Sequence, residues 1–478
     1  MKANSNWGVS AAMGGASTVG IAILVAASLV SITRPASAVP SFARQTGAPC
    51  STCHVGSFGP QLTPYGREFK LNGYVWGEAS QKFGGATQLP PISAMLQVGL
   101  TSTTTNIPGG DVPGWGDNNN FNVNQYSLFY AGRVYGKLGA WIQETYNGVA
   151  QRSAWDNWDV RYADTIGLFG KDLVLGVSAN NNPTSQDLWN TAPAWVFPYI
   201  TSGLAPTPAA RTRIDGTYAQ QMAGVTAYAM WDKLVYAEFG AYGILAPSTL
   251  QWFGVTPGDG TVGLAPYWRL AVQKEWDGQY ASIGTFGFSP QVVPAGVLAL
   301  GTVGGLPLNV PPYDRYLDLG FDATYQFLGE GKHVVSLYAS LIHESAFLDA
   351  TFSAGLSANA WNELNTFRLN ASYYYDNTVG FTLGLFNTWG TTDTGLYTPA
   401  TAISGSANGS PNSSGYVLQL DYTPFGKADS VAQPWLNLRL GVQYTIYTMF
   451  NGGTTNYDGN GRNSWDNNTL YDFAWIAF

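Results

Sequence analysis

The sequence predicts an all-β protein, a transmembrane antiparallel β-barrel of about 16 strands, with about 14 or 18 also compatible with the spacing of strands and connections. Three observations predict it. Period-two alternation dominates from about Ile92 onward, and its polar face is mostly Asn, Gln, Ser, Thr and Gly. Charged residues are 11% and aromatics 14%, whereas a soluble domain carries about a quarter charged residues. Short turns alternate with long polar segments, as in bacterial barrels with short periplasmic turns and longer external loops.

In chain order, residues 1–38 read as a secretory signal: Met1-Lys2, an apolar stretch from Val19 to Ile32, and the A-x-A site Ala36-Ser37-Ala38. The apolar run is short for a helical membrane span. Removing it takes away Lys2 and Arg34 and no acid, so the formal net charge moves from −8 to −10. An acidic chain argues against nucleic acid as a partner.

Residues 39–80 form a separate small segment around Cys50-Ser51-Thr52-Cys53-His54, which uses both cysteines of the chain. In an exported chain, C-x-x-C-H reads as covalent attachment of one haem c. Two thiols are spaced to form thioethers, and the adjacent imidazole meets the iron as its proximal ligand. A disulfide or redox dithiol leaves the immediate histidine unexplained. A zinc site would have only the distant His333 and His343 to complete it. Thr63-Pro64 starts a short helix, Pro64 to Leu71, because proline suits the first helical position. So small a segment cannot bury enough surface to stand alone.

Residues 81–478 form the barrel. Odd positions from Leu317 to Phe327 are apolar or aromatic and even ones polar or Gly, and a turn at Gly329–Lys332 leads into Val335, Leu337, Ala339 and Leu341. A second hairpin runs through Phe367–Tyr375, turns at Asp376-Asn377, and returns through Val379, Phe381, Leu383 and Leu385. Leu436 to Tyr444 alternates likewise. The last strand, Thr469 to Phe478, carries Tyr471, Phe473 and Trp475 on one face, while Asp472 interrupts the other. Thr391–Gly415, Asn451–Asn468 and Ser102–Asn120 read as long loops. Gly258-x-Gly260-x-x-Gly263 matches a dinucleotide fingerprint by letters only, without a βα unit around it. Asp111, Asp117, Asp393, Asp458 and Asp466 are expected as solvated loop positions.

One haem and one bilayer about 30 Å thick in its hydrocarbon layer place the small segment most economically inside the lumen, as a plug. The run Phe42-Ala43-Arg44-Gln45-Thr46-Gly47, then Cys50–His54, then Pro60, Leu62, Tyr65-Gly66-Arg67, Phe69-Lys70-Leu71 and Gly73-Tyr74 resembles the fused outer-membrane monohaem cytochrome c–porins of iron-oxidising bacteria. The stretch from Leu438-Arg439-Leu440-Gly441 through Phe450-Asn451-Gly452 to Asn468–Tyr471 and Phe478 is similar too. The resemblance implies an oxidoreductase of the iron:cytochrome c reductase type in the outer membrane. It would take electrons from extracellular Fe(II) and pass them to a periplasmic cytochrome c or copper carrier. It also implies that Cys50 and Cys53 hold the haem, His54 ligates its iron, and Pro60, Leu62, Tyr65, Phe69 and Lys70 pack against or cover it. The distal ligand stays open among Met95, Met222, Met230, Met449, His333 and His343, with Met95 closest in sequence.

Overall fold

The computed structural model describes residues 40–75, 91–107, 114–300, 302–303, 306–307, 312–398 and 401–478. The signal at 1–38, the segment boundary near residue 80 and Asp111 lie outside them. Sixteen strands form the wall: β1 Ile92–Thr103, β2 Asn120–Tyr135, β3 Leu138–Asn147, β4 Arg152–Leu168, β5 Lys171–Asn180, β6 Met222–Trp231, β7 Val235–Ile244, β8 Ala265–Trp276, β9 Gln279–Phe288, β10 Asp314–Phe327, β11 His333–Phe347, β12 Trp361–Tyr375, β13 Val379–Gly390, β14 Ser413–Tyr422, β15 Asn437–Met449 and β16 Thr469–Ala477. Each pairs antiparallel with its neighbours, and β16 returns to β1, from Met95↔Ala477 to Thr103↔Thr469. Phe478 and Ala94 exchange backbone hydrogen bonds at 2.9 and 2.7 Å, so the last residue helps seal the closure. A closed sheet leaves no unpaired edge, which lets strands cross a bilayer.

Polarity is the reverse of a soluble β-protein. On β10, Asp318 and Gln326 are fully buried inside, while Phe321 is 58% exposed on the outside. Every apolar position of the Leu317–Phe327 reading lies on that outer face, alongside Val335, Leu337 and Leu341 of β11. A soluble sandwich would bury them; a barrel in lipid presents them. Among the described residues no helix is long and apolar enough to cross a membrane.

Both predicted hairpins form. β10 and β11 pair with Phe327 opposite Val335, and β12 and β13 with Tyr375 opposite Val379. In the second, Asp376 and Asn377 adopt φ of 52° and 50°, the paired left-handed turn that Asx residues tolerate and that matches strand twist. The two- and three-residue turns and the five-residue 328–332 turn lie at one end with the longer 423–436 connection, and the β1–β2, β13–β14 and β15–β16 connections lie at the other, together with the four-residue 148–151 turn. The Gly258–Gly263 letters fall at the rim, where Gly260–Thr261 pairs with Gln291–Val293 and no helix follows.

The acidic loop positions depart from expectation. Asp393 is fully buried and accepts from the N–H groups of Ala358, Asn359, Gly395 and Leu396. Asp458 accepts from Ile403, Asn460 and Arg462. Asp466 accepts from the Asn463 N–H in a capping box. A loop with few apolar residues satisfies its backbone donors with carboxylates, so these three pin loops; Asp117 remains exposed.

Candidate functional site

The N-terminal segment lies in the lumen at the short-turn end. Its helices are α1 Pro40–Thr46, α2 Cys50–Cys53 and α3 Pro64–Leu71. The last has the predicted bounds. Thr63 caps it by accepting from the Gly66 N–H at 3.2 Å, and Pro64 opens it. Gly66 is required by packing, because a Cβ there would meet the Cys53 carbonyl oxygen at 2.3 Å. Thus α3 rests directly on α2. The chain between them folds back on the motif: the Val55 N–H donates to Gln61 O and the Thr63 N–H to Cys53 O, both at 3.0 Å.

Cys50, Cys53 and His54 therefore occupy one tight turn, each half-buried. The Cys50 N–H donates to Gln433 Oε1 at 2.9 Å. Burial pushes the Cys50 thiol up to about 11, against the Asn437 side chain, and the Cys53 thiol up to about 12, with Cys50 adding to it. Such thiols are poor redox nucleophiles near neutrality. Burial pushes the His54 imidazole down to about 4, with the Gly59 carbonyl opposing, so the ring is neutral. Its Nδ1 is buried without a hydrogen-bond partner.

Lumen-facing side chains fasten this plug. Arg67 donates to Gln326 Oε1 at 3.0 Å and stacks on Tyr280 at 3.6 Å. Tyr74 donates to Asp159 Oδ2, which also pairs with Arg161 Nε, both at 2.6 Å. Arg439 Nη2 donates to Phe58 O at 3.0 Å, and Asn437 Nδ2 to Ser57 O at 2.7 Å. These groups take part in a polar lumen network, which leaves the plug few ways to move.

A second body caps the plug from the long-loop side. The 181–221 connection between β5 and β6 turns inward, with Leu188 and Trp189 each 1% exposed. Arg269 on β8 holds it, pairing with Asp187 at 3.0 Å and with Asp322 of β10 at 2.8 Å. No strand alternation or motif in the sequence marks this loop as lumenal. Its one signal is Asp187 with Trp189 in a segment lacking strand alternation.

The predicted site residues separate into two groups. Leu62 bridges His54 through the backbone, and the half-buried Tyr65 lies near Cys53, so both stand at the motif. Pro60 offers its carbonyl to Asn190 of the inward loop. Phe69 packs on Phe42 and Tyr74, at ring separations of 5.0 and 6.2 Å. Lys70 reaches the inward loop instead, donating to Ser185 O at 2.9 Å, Asp187 O at 2.6 Å and Asn190 Oδ1 at 3.0 Å. Phe69 and Lys70 thus secure the plug.

Burial pushes the Lys70 ammonium down to about 7, with Arg161 adding to this and Asp159, Asp187 and Glu238 opposing. Between about 7 and the ordinary value of 10.5 the unfolded chain therefore holds a proton that the folded chain has released. Stability relative to a Lys70→Met chain should rise with pH across that window and be flat below it. Denaturant midpoints of plug release, taken for both chains from about pH 6 to 10, check this; parallel curves refute it.

Among the distal candidates, His333 and His343 point away. Both sit at odd positions of β11, whose inward residues are even, and they bond Tyr373 and Asn365. Met222 and Met230 are buried where the wall packs on the inward loop, the second in a cluster that also holds Leu71. Met95 faces inward in a cluster with Phe58 and Trp475, and its Sδ accepts from Gln97 Nε2 at 3.8 Å. Met95 is therefore the candidate packed with a residue four positions from His54.

This arrangement defines an outer-membrane-type β-barrel: sixteen antiparallel strands, lipid-facing apolar residues and a porin-like lumen occupied by its own N-terminal segment. The comparisons with known structures return barrels of this kind. The chain resembles the outer-membrane channel DcaP of Acinetobacter baumannii at 10% identity and TM-score 0.45, over 81% of this chain and 96% of that one. It resembles OprB of Pseudomonas putida at 11% and 0.47, over 81% and 93%, and an anion-selective porin of Comamonas acidovorans at 13% and 0.43, over 81% and 98%. No protein-family model matches the chain, and no curated protein matches its sequence.

Proposed function

We propose that this chain is an exported monohaem cytochrome c–porin that carries electrons from extracellular Fe(II) across the outer membrane to a periplasmic cytochrome c or copper carrier. The observation that carries the reading is the position of the C-x-x-C-H turn: it lies at the short-turn end of the lumen, held by Gln433 beside Asn437, under the helix that Lys70 ties to the inward loop. The donor set fits a covalently held haem. Two thiols sit one helical turn apart, and the next residue is a neutral imidazole whose Nδ1 is buried without a partner. Cys50 and Cys53 would hold the group and His54 its iron. When bound, the haem supplies one-electron redox chemistry.

The remaining residues act on access. Arg67, Tyr74, Asn437 and Arg439 keep the motif at a set depth, and Lys70 joins it to the inward loop. With plug and loop in place, solutes are obstructed while the motif stays at the short-turn end of the lumen. Trp195, which the Lys70 ammonium overlies at 5.0 Å, belongs to the layer on the outer side.

Protein reconstituted in liposomes, with a soluble cytochrome trapped inside and Fe(II) added outside, tests the reading. Reduction of the trapped cytochrome is the expected result. Solute-driven swelling without any reduction would leave a diffusion porin with a plug as the better account.

A further inference from the structure

Beside the inward loop the lumen holds a second site, separate from the motif. A cavity of about 380 Å³ lies between the 197–215 stretch of that loop and strands β12–β16, and no plug residue lines it. Two donors at its wall lack acceptors. Arg368 Nη1 and Asn370 Nδ2 are buried without hydrogen-bond partners, and Asn370 is only 7% exposed. Both lie on the lumenal face of β12, two residues apart, and both line the cavity.

The opposite edge of the Arg368 guanidinium is already held by Asp215 of the inward loop. That pairing fixes the plane of the donor fork and leaves Nη1, buried at the cavity wall, without a partner. Arg211, exposed at the same cavity, adds a second cation, so two guanidinium groups face one carboxylate. Phe197, Pro206 and Val417 supply an apolar remainder. Buried donors left unsatisfied cost free energy until an acceptor arrives.

We propose that this cavity binds a small oxyanion, a carboxylate or an inorganic one, through Arg368 Nη1 and Asn370 Nδ2. The site stands independently of the haem reading, because neither residue touches the plug and no electron transfer is involved.

Calorimetric titration of the full chain in detergent, with sodium acetate and with sodium sulfate against sodium chloride at matched ionic strength, tests it. Saturable binding of either oxyanion is expected, and which of the two binds separates the carboxylate from the inorganic source. Arg368→Met should weaken it by roughly tenfold or more. Asp215→Asn keeps the guanidinium but removes the carboxylate charge that competes with an anion, so it should tighten binding severalfold. This variant keeps the test decisive where Arg368→Met fails to fold. Absence of saturable binding of both anions, binding no tighter than chloride, or equal affinity in wild type and Asp215→Asn would overturn the proposal.

Discussion

A chain with Cys50 and Cys53 both replaced by alanine is expected to carry no covalent haem and to reduce the trapped cytochrome no faster than empty liposomes. The loss should be specific. The two thiols are half-buried, and the contacts that seat the plug come from Arg67, Lys70, Tyr74, Asn437 and Arg439. The sixteen-strand ladder does not involve them. The variant should therefore insert, resist heat-induced gel-shift as the wild type does, and still obstruct solutes. Loss of the c-type band in the pyridine spectrum of the reduced membrane fraction, together with loss of transfer, is the predicted pair of readings. A variant that transfers electrons at the wild-type rate refutes the function, and a wild type lacking the c-type band refutes the cofactor.

Arg269→Met should release the inward loop. Arg269 is fully buried and serves two carboxylates, Asp187 of the loop and Asp322 of β10, and its guanidinium overlies Trp189 at 4.8 Å. Removing one partner from a buried ionic cluster costs about 3–5 kcal/mol, because the charges left behind have lost their counter-ion. The cost falls on loop docking, since the wall strands keep their backbone ladder. Burial would raise the Asp187 carboxyl, but Arg269, the Ala192 and Thr191 N–H groups and Lys70 hold it below the ordinary carboxylate range. In the wild type, loop attachment should accordingly survive acid down to the ordinary value of 3.8 and weaken only as pH falls further. Protease added outside intact proteoliposomes should cut the 181–221 segment in Arg269→Met and spare it in the wild type. Equal protection in both chains would show that apolar packing of Leu188 and Trp189 suffices to dock the loop.

Much of the wall was legible because β-structure writes itself in period two. The alternation from Leu317 to Phe327 assigned each side chain of that run to the face it takes in β10, and the mostly Asn, Gln, Ser, Thr and Gly polar set along the barrel strands marked the other face as lumenal. The same parity carried information about the histidines: His333 and His343 share their face with Val335 and Leu341, the face the barrel turns to lipid. Pro64 after Thr63 fixed the start of α3 because a missing N–H and a side-chain cap both suit a helix's first turn. The C-x-x-C-H spacing was local in the same sense.

The site around that motif was not local, and there the reading fell short. Lys70 and Phe69 looked like cover for the motif, yet their positions depend on Asp187, Asn190 and Phe42, which approach from elsewhere in the chain. Asp393 and Asp458 looked like solvated charges until loop closure brought backbone donors to them. The sequence by itself determined the class of wall, the orientation of its faces, the hairpin turns and the three residues of the motif, because each rests on periodicity or on neighbours a few residues apart. Only the tertiary structure decided that the 181–221 loop turns inward, which charges it buries, and that Arg368 and Asn370 share an open cavity. Those outcomes rest on pairings across the lumen between residues far apart in the chain, such as Asp215 with Arg368 and Ile200 with Gln443, and no local pattern encodes which distant counter-ion a buried charge will meet.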